Sequence, residues 1–166
     1  MIVTITTDGS CLGNPGVGGW ACILRSDSHE RIMEGAAIET TNNRMELTAA
    51  IEGLRALTCR CAVRLLTDSE YLRRGAMEFL ARWKSNGWRT AAGSAVANRD
   101  LWEAIDELSG YHDVTWIHLR GHSGDPDHER CDRLAVEAAR RARRESASAG
   151  ATATWSREGT GHKPGA

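Results

Sequence analysis

The fold is decided by residues 62–70, AVRLLTDSE, in which a short apolar run ends in a carboxylate, Asp68. A nearly continuous apolar run of this length is typical of a buried parallel strand. Residues 2–7 form a second predicted strand, which is followed by Asp8 in the similar sequence TDGS. Residues 43–57, between them, have the apolar spacing of an amphipathic helix. A strand–helix–strand unit of this kind places its two strands side by side and parallel.

Two carboxylates then meet at one edge of the predicted sheet. Asp8 and Asp68 stand at the carboxyl ends of neighbouring strands, which is where open α/β sheets bind ligands. Either aspartate alone is equally consistent with a turn residue or a helix cap. Their occurrence at two matching strand ends favours a functional site.

Glu46 and Asp132 add two further acids. Glu46 lies near the start of the predicted helix 43–57, although a capping box between Asn43 and Glu46 is an alternative. Asp132 lies in a predicted final helix, where a surface acid is the ordinary interpretation. Four clustered carboxylates repel unless a cation lies between them, and Mg²⁺ prefers oxygen ligands. The four acids therefore predict metal-assisted phosphate chemistry.

The remaining segments complete an α/β pattern. Residues 20–25 and 31–40 are predicted strands that follow the first as an antiparallel meander. Helices are predicted at 69–82 and 99–108, and a fifth strand at 114–119. A last helix begins at Pro126, with Asp125 as its cap, and frays over 140–144. The Ala, Ser, Thr and Gly composition beyond predicts a flexible tail, so we expect one domain over 1–143 and a tail over 144–166.

Bulk properties restrict the class of protein. The chain has 166 residues and a net charge of −1, so it is not a uniformly basic polyanion binder. It contains no apolar run of the ~20 residues that a membrane span requires and starts without a signal-peptide pattern. Five scattered cysteines predict free thiols. We expect a cytoplasmic protein.

Residues 72–90 carry a local basic and aromatic character. The segment has five basic residues and one acid, with Phe79, Trp83 and Trp88 interspersed. Such a surface suits nucleic acid, although an amphipathic helix with core aromatics is the better interpretation of this segment alone. His122, in the sequence GHSG, is either an exposed loop histidine or a mobile group that relays protons near the metal site.

Five sequence blocks together resemble the bacterial ribonuclease HI family. They are TDGSCLGNPG at 7–16, TNNRMEL at 41–47, TDSEY at 67–71, GHSG at 121–124 and ERCD at 129–132. The blocks occur in order and with similar spacing up to about Arg143. The resemblance implies a five-stranded mixed sheet, three antiparallel strands followed by two parallel ones, flanked by helices on both faces.

The resemblance also implies an activity and a site. The activity is endonucleolytic hydrolysis of the RNA strand of RNA–DNA hybrids, leaving 5′-phosphate and 3′-hydroxyl ends. Asp8, Glu46, Asp68 and Asp132 would hold two Mg²⁺ or Mn²⁺ ions, and His122 would assist proton movement or product release. The expected partner is the hybrid duplex, with no obligate protein partner and a monomeric state.

By the same resemblance, further residues are expected to contact the hybrid. The RNA-side contacts would come from Asn14, Asn42, Asn43 and Glu70, the DNA phosphate contacts from Thr41 and Arg82, and the DNA-side groove from Phe79 and Trp83. Two features depart from the family. The basic segment near Lys84 is diluted, which weakens the expectation for hybrid affinity. Arg82 stands where an amide is expected, although arginine also binds phosphate.

Two other functions are compatible with parts of this pattern. DNA-cutting integrases, transposases and junction resolvases share the fold and the carboxylate chemistry, but the asparagines beside Glu46 and the loop after Asp8 argue against them. A hybrid-binding module that has lost catalysis is the second alternative. The presence of all four carboxylates argues against it.

Overall fold

The protein is built on one five-stranded sheet with the strand order β3-β2-β1-β4-β5. The computed structural model describes residues 1–120 and 124–158, with side chains up to residue 149. The strands are β1 (Ile2–Leu12), β2 (Gly16–Ser26), β3 (His29–Thr40), β4 (Ala62–Thr67) and β5 (Asp113–His118). β1, β2 and β3 pair antiparallel, and β1, β4 and β5 pair parallel. The predicted mixed sheet is therefore confirmed.

Helices cover both faces of the sheet. They are α1 (Asn42–Arg55), α2 (Glu70–Arg74), α3 (Leu80–Ser85), α4 (Arg99–Tyr111) and α5 (Pro126–Glu158), with a π-helical turn, Gly75–Phe79, between α2 and α3. Strand β2 shows the alternation that this layering requires. Its Cys22 and Leu24 belong to the large core that contains α1 and α4. Its Ala21 and Ile23 pack with Cys131 and Ala135 of α5 on the opposite face.

Two glycines allow close approach of the layers. A Cβ on Gly19 would overlap the backbone oxygen of Ala135, so this glycine lets α5 lie directly on β2. A Cβ on Gly75 would overlap the ring of Trp102, which is fully buried. The positions of α5 and of the π-helical turn therefore require glycine, which has no side chain, at Gly19 and Gly75.

The first strand extends beyond its predicted end. The sequence places Asp8 at a strand end followed by a turn-rich segment, but β1 continues to Leu12 because it pairs with β2 as far as Leu12 and Val17. Its parallel pairing with β4 does stop early, at Thr6 and Leu66. Asp8 is thus at a strand end only with respect to the parallel half of the sheet.

The last helix is also longer than predicted. The fraying expected over 140–144 is wrong, since α5 continues to Glu158 and its backbone is helical over 144–158. The alanines at 147, 149, 151 and 153 explain this, because alanine has the highest helix propensity. In the part of the chain that the structure describes, no helix is long and apolar enough to cross a membrane.

Candidate active site

Asp8 lies on β1, the central strand of the sheet, where this strand packs against α1. The residue is 4 % exposed, and its Oδ1 accepts a hydrogen bond from the backbone N–H of Gly9 at 2.9 Å. A Cβ on Gly9 would lie 2.5 Å from the backbone nitrogen of Glu46. Because Gly9 has no side chain, β1 can approach the backbone of α1 closely at Glu46.

Glu46 lies in the first half of α1 and is 5 % exposed. The capping alternative for this residue is wrong. Thr41 is the N-cap, and its hydroxyl oxygen accepts from the N–H of Arg44 at 3.2 Å, so Glu46 lies beyond the capping positions. Among the described atoms, Glu46 Oε2 is buried without a hydrogen-bond partner.

Asp68 follows β4 and is likewise not a helix cap. Ser69 caps α2, since its hydroxyl oxygen accepts from the N–H of Leu72 at 3.1 Å. The Asp68 side chain is about one-third exposed and is directed to the same place as Asp8. The structure thus brings these two aspartates and Glu46 together, in agreement with the sequence prediction.

Crowding and burial change the proton affinities of this group. Burial, followed by the charge of Asp68, raises the pKa of Asp8 to about 7. Burial and the neighbouring Asp8 raise the pKa of Glu46 well above its usual value. Both shifts have the same cause, because burial and a neighbouring carboxylate each disfavour the ionised form. We call Asp8, Glu46, Asp68 and the histidine described next the carboxylate site.

His128 is the residue of this site that the sequence analysis missed. It lies in the first turn of α5 and is 8 % exposed. Its Nε2 is 3.3 Å from Asp68 Oδ2 and 3.8 Å from Asp8 Oδ2. The Asp68 carboxylate raises the pKa of His128, and His128 in turn lowers the pKa of Asp68. The available signal was its position four residues before Asp132 on one helix, which places both side chains on one face.

The other two predicted catalytic residues have different positions. Asp132 is exposed on α5, and its charge contributes to the raised pKa of His128, so it lies at the border of the site. His122 lies outside the described residues. The four-carboxylate prediction therefore has three members in close proximity and a fourth one helical turn beyond His128.

The predicted RNA-side asparagines surround the start of α1. Asn14 lies in the β1–β2 connection, and its Oδ1 accepts from the N–H of Asn42 at 3.1 Å. Asn42 and Asn43 form the exposed first turn after the cap, Thr41. These side chains lie next to Glu46 in sequence and form a polar surface beside the carboxylate site.

Glu70, at the start of α2, is the remaining predicted RNA-side contact. It pairs with Arg73 at 3.2 Å and with Nε2 of His118 at 3.1 Å. These contacts hold the Glu70 side chain next to the end of β5.

Three of the four predicted DNA-side residues, Phe79, Arg82 and Trp83, line a surface cavity of about 560 Å³. The fourth, Thr41, lies apart from it as the N-cap of α1. Phe79 and Trp83 stack with their ring centroids 5.8 Å apart, and the guanidinium of Arg82 lies over the Phe79 ring. Arg82 is exposed and makes no ion pair with any described carboxylate, whereas Lys84 pairs with Asp106 at 3.0 Å. Of these two cations, Arg82 is therefore the one available to a phosphate.

Fold and site together define a mixed α/β protein with a buried carboxylate–histidine cluster that could hold a divalent metal ion. Donor atoms of Asp8, Asp68 and His128 all lie within 4.8 Å of one another. Glu46 Oε2, which makes no hydrogen bond within the described part of the chain, adds a further oxygen donor, and oxygen donors suit such an ion.

Comparison with known proteins gives the family. The RNase H family model matches residues 1–140. Ribonuclease H of Hydrogenovibrio crunogenus is 53 % identical over 136 residues, covering 82 % of this chain and 94 % of the relative. Ribonuclease H of Bordetella bronchiseptica is 55 % identical over 141 residues, covering 83 % and 91 %. The chain belongs to the RNase H family and is a nuclease.

A solved structure agrees with this assignment. The crystal structure of LC9-RNase H1, described as a type 1 RNase H with the type 2 active-site motif, superposes with a TM-score of 0.74. It is 33 % identical, and the match covers 83 % of this chain and 72 % of that one.

Proposed function

We propose that this protein hydrolyses the RNA strand of RNA–DNA hybrids by two-metal-ion catalysis. The observation that carries the proposal is the burial of Asp8 and Glu46 beside Asp68, with a Glu46 oxygen that has no partner among the described atoms. Such an arrangement is costly in a folded protein unless a cation binds there. Relatives named Ribonuclease H that are more than half identical to this chain support the activity.

The residues proposed to hold the ions are Asp8, Glu46, Asp68 and Asp132. All four offer carboxylate oxygens, which suit Mg²⁺ and Mn²⁺. The chemistry supplied by the bound ions is activation of a water and stabilisation of the leaving 3′ oxygen. The products would carry 5′-phosphate and 3′-hydroxyl ends.

The protein's own part is to place the scissile phosphate and to move protons. The strand–helix contact at Gly9 fixes Asp8 relative to Glu46, and the Ser69 cap leaves Asp68 free to face them. His122 is proposed to take part in proton movement or product release, since histidine titrates near neutral pH.

Hybrid recognition is proposed to use both surfaces beside the site. Asn14, Asn42 and Asn43 carry amides that both donate and accept, as the 2′-hydroxyl does, and Glu70 lies at the same edge. On the other strand, Thr41 and Arg82, which forms no ion pair with a described carboxylate, would bind DNA phosphate. Phe79 and Trp83 would line the groove. The expected partner is the hybrid duplex, bound by a monomer.

The test is cleavage of an end-labelled RNA–DNA hybrid in Mg²⁺ and in Mn²⁺. Single-stranded RNA, duplex RNA and duplex DNA serve as controls, and EDTA is added at the end. Internal cuts confined to the RNA of the hybrid, which cease with EDTA, are expected. Ligation of the products identifies the 5′-phosphate and 3′-hydroxyl ends.

The same experiment separates the alternatives. Cutting of duplex DNA would place the protein with integrases and resolvases. Retention of intact hybrid by the protein, without cutting in either metal, would favour a binding module.

A further inference from the structure

His128 is a buried polar side chain directed into the carboxylate site. It is 8 % exposed, and its Nε2 lies 3.3 Å from Asp68 Oδ2 and 3.8 Å from Asp8 Oδ2. Neither approach is aligned as a hydrogen bond, so Nε2 has no hydrogen-bond partner among the described atoms. A buried nitrogen that lies between two carboxylates but makes no hydrogen bond among the described atoms requires an explanation, and a bound ion is one that fits the acids around it.

We propose that His128 is a nitrogen ligand of the divalent metal site, which makes the site mixed oxygen–nitrogen and shifts its preference from Mg²⁺ toward Mn²⁺ and Co²⁺. The inference rests on the proposed function, because it assigns a further ligand to the same site. The imidazole of His128 would be a ligand in addition to the four predicted carboxylates.

The spacing of the donor atoms fits a shared ion. Two ligands bound at about 2.1 Å to one ion lie roughly 3.0–4.2 Å apart, depending on their angle. The two separations of His128 Nε2, 3.3 and 3.8 Å, fall in that range. The third separation, between Asp8 and Asp68, lies within the 4.8 Å that encloses all three donor atoms, so the three residues are close enough together to hold one ion.

The start of α5 fixes the histidine there. Asp125 caps the helix, since its Oδ1 accepts from the backbone N–H of His128 at 2.9 Å. The next turn is held against the sheet by Cys131, whose thiol contacts the backbone oxygen of Thr6 at 3.3 Å. Because both neighbouring turns are anchored, the imidazole is a positioned donor and not a mobile surface group.

The donor type determines the metal preference. Mg²⁺ favours oxygen and retains its water, whereas imidazole suits borderline transition metals. Affinity for a site with nitrogen rises from Mn²⁺ to Co²⁺. An asparagine at this position would restore an all-oxygen site of similar volume.

The experiment measures metal binding to the metal-free full chain without substrate. Calorimetry gives the affinities for Mg²⁺, Mn²⁺ and Co²⁺ in the native protein, in His128→Asn and in the matched control His29→Asn, which changes an exposed histidine at the start of β3. His128→Asn is expected to weaken Mn²⁺ and Co²⁺ binding by about tenfold or more and Mg²⁺ binding by less than about threefold. His29→Asn should bind all three like the native protein.

A second measurement detects the metal ligand in the native protein itself. Electron spin-echo spectroscopy of Mn²⁺ bound to the native protein should show a directly coordinated nitrogen, which changes when histidine is labelled with ¹⁵N. The signal should be lost in His128→Asn, whose fold is checked by circular dichroism.

Two outcomes would overturn the assignment. An unchanged ratio of Mn²⁺ to Mg²⁺ affinity, with no histidine nitrogen on the metal, would mean that His128 only packs beside the site. Tighter binding of all three ions by His128→Asn would mean that the imidazole competes with the metal. Failure of the proposed function is distinguished from both, since it appears as intact hybrid with normal metal binding.

Discussion

Asp127 and His128 are consecutive residues of α5, but their side chains lie in opposite electrostatic environments. Asp127 belongs to a surface group with Arg25, Glu30 and Arg130, called here the arginine–carboxylate cluster, in which each acid meets an arginine. Its contact with Arg25 is bidentate, at 2.6 and 2.7 Å. His128 instead faces the carboxylate site, where acids outnumber cations.

The difference separates charges that serve the fold from charges that serve chemistry. Arg25 lowers the pKa of Asp127, as expected for a satisfied acid. Burial raises the pKa of Asp8 to about 7, as expected for an acid with too few partners. Natural proteins retain such unfavourable groups mainly at functional sites.

The largest effect is expected for Asp68→Asn. Loss of one charged ligand should reduce hybrid cleavage by at least about a thousandfold, while hybrid affinity changes little because the minor-groove contacts remain. Rates and filter-binding affinities are measured in parallel. Asp127→Asn, in the arginine–carboxylate cluster, should cleave normally. Parallel loss of binding and activity in Asp68→Asn would contradict this division of roles.

Gly19→Ala should disturb both the carboxylate site and the arginine–carboxylate cluster, because each depends on how α5 packs on the sheet. The added methyl overlaps the backbone of Ala135, and overpacking of this kind destabilises by about 1–3 kcal/mol. Urea unfolding measures the change. Gly110→Ala is the control, since a Cβ there meets nothing within 4 Å. Equal stability of the two variants would show that α5 adjusts freely.

Asp8→Asn should stabilise the metal-free protein at pH 8 by about 1–3 kcal/mol. The pKa of Asp8 is raised from 3.8 to about 7, so the native state holds this proton more tightly than the unfolded chain. The contribution of Asp8 to the free energy of unfolding is fully present below the pKa of the unfolded state. It is lost as the pH rises through the pKa of the folded state. Melting curves in EDTA at pH 5 and pH 8 test this, and the stabilisation should be largest at pH 8. Destabilisation at pH 8 would contradict it.

Asp127→Asn is expected to have a small effect with the opposite pH dependence. Its lowered pKa means that the native state favours the ionised form, so the contribution is present above pH ~4 and lost as the pH falls through the folded value. The melting temperature should fall by no more than about 4 °C at pH 7. The difference should shrink in high salt and at low pH. A difference that persists at pH 2.5 would indicate a role other than ion pairing.

The smallest effect is expected for removal of residues 146–166. The last ion pair between α5 and the sheet for which the structure gives a distance is Arg141 to Glu34, at 2.9 Å, so the truncation leaves both regions intact. Turnover and hybrid affinity should be unchanged. A marked fall in turnover would mean that the tail contacts the substrate.

Local patterns were sufficient for the framework of the sheet and for its crossover. The apolar run at 62–67 predicted β4 with its observed bounds. Burial within the strand alternates, however, and Arg64 is exposed. Asp125 and Pro126 predicted the start of α5, because capping depends only on adjacent residues. The lengths of β1 and α5 were missed, since pairing with β2 and the alanine content of 144–158 outweighed the local turn and tail signals.

By itself, the sequence determined the order of the elements, because hydrophobic periodicity is encoded locally. It also predicted a cluster of four acids, of which Asp8, Glu46 and Asp68 lie together and Asp132 lies at the border. Only the tertiary structure decided which side chain of the last helix's first turn enters the site. Asp127 and His128 are adjacent, so helix geometry separates their side chains by about 100°. Which of the two faces the carboxylate site follows from the angle between α5 and the sheet, which Gly19 permits. That angle depends on contacts between residues more than a hundred positions apart, and no local pattern specifies it.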